Sequence, residues 1–74
     1  MRFDTIQKRA LRRPWRSFAI LLDNGVRVPV RHPESIYFLK HDEIVVYENG
    51  TSWFFEASAV SAVQRQRPLN PDYS

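Results

Sequence analysis

The chain has 74 residues and no cysteine. That excludes a disulfide, a thiolate nucleophile and every cysteine-based metal site, and it leaves His32 and His41 as the only imidazole groups. Glycine is nearly absent: Gly25 and Gly50 are the whole supply, and each follows an asparagine. Neither a phosphate-cradling glycine loop nor a glycine-flanked nucleophile elbow can be built from them. Long apolar runs are missing as well. The longest, Phe18 to Leu22, has five residues, against the roughly 20 that a membrane-spanning helix needs. Met1 to Ala10 is charged and lacks the apolar segment of a secretory leader. The carboxylates stand singly, except Asp42-Glu43, whose side chains take opposite faces once a strand has begun. From these absences we expect a soluble, cytoplasmic, non-enzymatic protein that needs no cofactor and no membrane.

What is present is turn chemistry between apolar runs. Asn24-Gly25 and Asn49-Gly50 both separate segments of alternating hydrophobicity. A two-residue hairpin of type I′ needs positive φ at both central positions, which asparagine tolerates and glycine adopts freely. Both pairs therefore predict tight antiparallel hairpins. A domain this short buries only about 60% of its unfolded surface, so its core is marginal and gains from a partner.

Asp4, with Gln7 three residues on, predicts a capped helix over about 5–13, ended by Pro14. Five strands follow in the sequence reading. The first runs from Trp15 to Asp23. The second is long and bends at His32-Pro33-Glu34, with Val26, Val28 and Val30 before the bend and Ile36 and Phe38 after it. Glu43 to Glu48 and Thr51 to Glu56 form the second hairpin, Ala57-Ser58-Ala59 predicts one tight helical turn, and Val60 to Gln64 closes the series. Pro29 must sit where its missing N–H is not needed. Residues 1–64 then form a single small β domain, and 65–74, with two prolines and no periodicity, a flexible tail. The expected fold is mostly β: a short N-terminal helix and a five-stranded antiparallel meander, closed as a small Sm-like or Src-homology-like barrel or left open as a curved sheet.

The stretch from Leu11 to Val63 resembles a family of small uncharacterised bacterial proteins, frequent in planctomycetes. The residues that carry the likeness are Pro14-Trp15-Arg16-Ser17-Phe18, Ile20-Leu21-Leu22-Asp23-Asn24-Gly25, Val30-Arg31-His32-Pro33-Glu34, Val45-Val46 and Ala59-Val60-Ser61-Ala62-Val63. The family pattern Pro-Phe-x-Pro-Phe has Trp15 and Ser17 here at its first phenylalanine and second proline. The resemblance implies a compact mostly-β domain and assigns no activity. A weaker resemblance, in element order alone, is to Sm-like RNA-binding proteins. Their nucleotide-pocket residues are not matched by Lys40-His41-Asp42-Glu43 or by Ala57-Ser58-Ala59.

Two surfaces are candidates for binding. Residues 1–16 carry six basic side chains against Asp4 alone, whereas 17–74 carry five basic and seven acidic ones. On a helix, Lys8, Arg12 and Arg16 share a stripe beside Arg9 and Arg13. Such a stripe suits the phosphates of RNA or DNA, an acidic protein partner, or plain solvation. The second candidate is apolar. Several strands are hydrophobic on both sides, whereas an ordinary antiparallel sheet keeps one face wet. Either the helix or a second copy must cover the extra face. Tyr37, Leu39, Val45, Tyr47, Trp53 and Phe54 are the candidate interface residues, and we expect a homo-oligomer, with another protein as the alternative occupant. His32, Glu34 and His41 admit a metal site on paper; the simpler expectation is that Pro33 sets a bend while His32 and Glu34 bond to backbone there.

Overall fold

The computed structural model describes residues 1–65. Helix α1 spans Phe3–Ala10, and six strands follow: β1 Phe18–Leu22, β2 Arg27–Val30, β3 Ile36–Phe38, β4 Glu43–Glu48, β5 Thr51–Glu56 and β6 Val60–Arg65. They form two antiparallel three-stranded sheets in the orders β2-β1-β6 and β3-β4-β5. The protein is thus mostly β with a short N-terminal helix. Among the described residues the strands number six rather than five, and no closed barrel is formed.

The extra strand comes from the bend. Pro33 opens a single 3-10 turn over Pro33–Ser35, and His32 before it is held extended at φ −140°, as a residue preceding proline must be. The ring has no N–H to give a ladder. The expected long strand is therefore cut in two: β2 stays with the first sheet and β3 enters the second. Pro29, placed opposite Ala19, lies on β2, an edge strand, where its missing donor is harmless.

The helix is displaced from its expected 5–13. Arg2, extended, is the N-cap, no side-chain cap forms, and the Ile6 N–H already bonds the Arg2 carbonyl at 3.0 Å. Asp4 therefore lies inside the first turn, where its charge suits the helix dipole, and its Oδ1 accepts the Thr5 N–H. Leu11 makes the last bond, to Gln7, and leaves the helix at φ −100°, ψ 12°. The next three residues lead to a cis Arg13–Pro14 bond.

The two Asn-Gly pairs make different turns. Asn49 and Gly50 have φ of 53° and 82°, with Glu48 opposite Thr51, so this is the expected two-residue hairpin. At the first pair only Gly25 is left-handed, at φ 88°. Its N–H closes on the Leu22 carbonyl, and Leu22 donates to Val26, which makes a three-residue loop ending in a glycine bulge. The Asn24 side chain accepts the Val26 N–H at 3.0 Å and holds that shape. The β3–β4 connection has three residues, 40–42, because the Leu39 N–H bonds the Glu43 carbonyl, and His41 and Asp42 within it are left-handed at φ 59° and 65°. A 3-10 turn over Ala57–Ala59 precedes β6, as expected.

Inward residues of both sheets build one core. Phe18, Ile20, Val28, Val30, Ile44 and Val46 are at most 1% exposed. Ile6 and Ala10 of α1 belong to this same cluster, and Phe3 meets Phe38 edge-on at 5.6 Å. Of the expected tail over 65–74, Arg65 is the last residue of β6 and the rest lies outside the described residues. No helix among the described residues is long and apolar enough to cross a membrane.

Candidate functional site

The period of two along β4 sorts its residues. Ile44, Val46 and Glu48 point inward and are buried, while Val45 and Tyr47 point outward. Across the second sheet, Tyr37 stands opposite Val45 and Val45 opposite Phe54, so these three make one row over β3, β4 and β5. Tyr37, Tyr47 and Phe54 are 52%, 54% and 64% exposed, and Leu39 extends the same apolar surface. Five of the six candidate interface residues thus share one sheet face. Trp53 does not: it pairs with Val46 and packs from the opposite side against the core. Adjacent residues of a strand face opposite ways, so Trp53 and Phe54 cannot serve one surface. The helix contributes to the core rather than to this outer face.

The basic residues divide. Lys8 and Arg9 are exposed on α1, but the helix ends at Ala10, so Arg12, Arg13 and Arg16 leave the stripe and stand exposed on the segment leading to β1. A hollow of about 380 Å³ gathers Arg9 and Arg12 with Val63 and Arg65. Arg65 was not among the expected cations. Its guanidinium reaches the Arg9 carbonyl at 3.3 Å and so spans from β6 to the end of the helix. Lys8, Arg13 and Arg16 do not line this hollow.

The His32-Pro33-Glu34 block works differently from expectation. Glu34 is exposed; the carboxylate at the bend is Glu48, from the far end of β4. Glu48 is buried, its Oε2 accepts the Arg31 N–H at 2.7 Å, and His32 Nδ1 lies 3.8 Å away. Burial pushes this carboxyl up. The Arg31 N–H, the Ser35 hydroxyl, the charge on His32 and the His32 N–H together outweigh burial and hold it below its ordinary value. A signal for Glu48 existed in the sequence: it is in phase with Ile44 and Val46, so a strand with those two inward must bury it. Among the described residues, no group of three or more His, Asp or Glu is placed to hold a metal.

No protein-family model matches this chain, and no curated protein does.

Proposed function

We propose that this chain is a non-catalytic binding and assembly module, and that it works by pairing with a second copy of itself through the outer face of β3-β4-β5. The observation that carries this reading is the row Tyr37, Val45 and Phe54, extended by Leu39 and Tyr47, all outward on one sheet. An apolar face without a cover is a docking face. The helix, the other candidate to cover it, is spent on the core. Flat sheet faces stack at about 10 Å with their side chains interdigitated. A second copy offers the same apolar row, so a twofold contact is self-complementary. We read β2 and β3 as the two arms of one bent strand, which makes the two sheets a curved meander of the small-barrel kind. In this reading the chain belongs with the small bacterial proteins that its His32-Pro33-Glu34 block resembles.

The test is light scattering after size exclusion at low and high salt, with absorbance at 260 and 280 nm recorded on the same peak. The expected result is a defined oligomer that persists in high salt because its contact is apolar, with the same stoichiometry whether or not nucleic acid accompanies the peak. Phe54→Glu and Tyr37→Glu are then expected to yield a folded monomer. A wild-type monomer at every accessible concentration sinks the reading.

A further inference from the structure

The sheet face leaves a second feature unused, and it lies elsewhere on the molecule. Arg9, Arg12 and Arg65 converge on one hollow of about 380 Å³, with Val63 as the fourth lining residue and no carboxylate among them. None of the three guanidinium groups has an ion-pair partner among the described residues, where the only pairs are Arg2 with Asp4 and His32 with Glu48. We propose that this hollow is a binding site for a phosphate group, with the phosphodiester of a single-stranded nucleic acid as its main source.

The argument rests on placement and on donors. The three cations come from separate parts of the chain: Arg9 from α1, Arg12 from the segment after it, and Arg65 from the end of β6. Gathering them costs mutual repulsion, which solvent screens in part and a bound anion offsets further. Each guanidinium carries five N–H donors in a planar fork that matches a phosphate's oxygens. Arg65 uses one nitrogen on the Arg9 carbonyl. That bond orients its plane against the helix end and leaves its other donors for a ligand. An arginine fixed this way loses less freedom on binding than a free one. Arg13 and Arg16, exposed on the same segment as Arg12, add further positive charge for a polyanion. Carboxylate-bearing partners offer the fork similar oxygens, but a strand offers many phosphates in one molecule, which suits a segment that carries Arg12, Arg13 and Arg16 together.

The site is tested on the full chain with two probes, inorganic pyrophosphate and a fluorescent oligouridylate of about 12 nucleotides, at ~20 mM and ~200 mM salt. Anisotropy is expected to report strand binding that weakens steeply with salt. Arg9→Glu and Arg12→Glu, both at exposed positions, are each expected to weaken it at least ~tenfold, and Arg12→Ala to flatten the log–log salt slope by about 0.7, the share of one neutralised phosphate on a single strand. Arg65→Lys keeps the charge and loses the fork, so it should lie between wild type and Arg65→Ala, with thermal melts confirming that β6 is intact. Lys40→Glu, on the β3–β4 turn, should leave binding unchanged. Competition by pyrophosphate at comparable concentration would assign the site to small phosphate compounds; competition only in large excess would assign it to the strand. Absence of binding to both probes at low salt overturns the proposal, as does binding that the Arg9 and Arg12 reversals leave intact. The oligomeric state is read separately, so this proposal and the sheet-face reading fail independently.

Discussion

The Glu48 carboxylate and the Arg31 backbone N–H meet at 2.7 Å, across the point where the chain passes from one sheet to the other. Glu48 ends β4, and Arg31 follows β2. One buried anion thus joins the two sheets and satisfies the bend between them. Hydrogen bonds to a charged group contribute about 1.5–3 kcal/mol each at most, and stranding a buried donor costs in the same range. Glu48→Ala is expected to lower stability by about 3 kcal/mol, and Glu48→Gln by about 1–2 kcal/mol, in chemical denaturation near neutral pH. The sign of the pH dependence follows from the carboxyl lying below its ordinary 4.5 in the folded protein. The stabilisation is fully present above 4.5 and is lost as pH falls through the folded value. Wild type should therefore lose stability on acidification more steeply than Glu48→Gln. Parallel acid titrations of the two would refute this role for Glu48.

Two left-handed turn positions make opposite predictions. Gly50 has φ 82° with open space around its Cβ position, so Gly50→Ala meets no clash but takes a left-handed backbone, at about 1–2 kcal/mol. Asp42 already bears that strain, at φ 65°, and its structural contact is through its carbonyl, which accepts the Ala57 N–H at 2.9 Å. Glycine keeps that contact. Asp42→Gly is expected to raise stability by about 0.5–1 kcal/mol. A pair of thermal melts decides it, and a destabilised Asp42→Gly would mean that the carboxylate itself holds the turn.

The turns also mark what was legible in the sequence. Asn49-Gly50 announced a two-residue hairpin because both residues suit positive φ. His41-Asp42 takes the same positive φ without glycine, inside a three-residue connection, and nothing local distinguishes it from an ordinary polar turn. Asn24-Gly25 carried the same signal but formed a longer loop, since Asn24 spends its side chain on Val26. The helix ends at Ala10 rather than at 13, and with that last turn the basic stripe disperses. Arg65 was out of reach of any local argument: it joins Arg9 over 56 residues of chain. The outer row Tyr37, Val45 and Phe54 was legible as residue types, but its register is fixed by pairing across three strands.

Trp15 carries a defect that substitution can remove. Its ring is half-buried beside Phe18, with centroids 5.9 Å apart, and its indole nitrogen is buried without an acceptor among the described residues. An unsatisfied buried donor costs about 1–3 kcal/mol. Phenylalanine removes the donor and keeps most of the aromatic contact, at the expense of some buried area. Trp15→Phe is expected to be neutral or to stabilise by up to about 1 kcal/mol, whereas Trp15→Ala should destabilise by about 3 kcal/mol. Melting temperatures of the two variants check this, and a clear loss in Trp15→Phe would show that the indole N–H has an acceptor.

Phe54 and Phe55 are neighbours with opposite expected consequences. Phe54 is 64% exposed and faces outward, while Phe55 is 7% exposed and pairs with Ile44 inside the core. Phe55→Ala opens a cavity in a core too small to absorb one, at about 3–5 kcal/mol, a large share of the 5–15 kcal/mol that stabilises a typical domain. Phe54→Ser removes a side chain that the single chain scarcely buries, so monomer stability should change by less than about 0.5 kcal/mol. What Phe54→Ser should change is concentration dependence. In an assembly built on the outer face, wild-type melting temperature rises with protein concentration, and in Phe54→Ser that rise should vanish. A wild-type melt that does not move with concentration, together with a Phe54→Ser melt identical to it, would remove the outer face of β3-β4-β5 as the site of self-association.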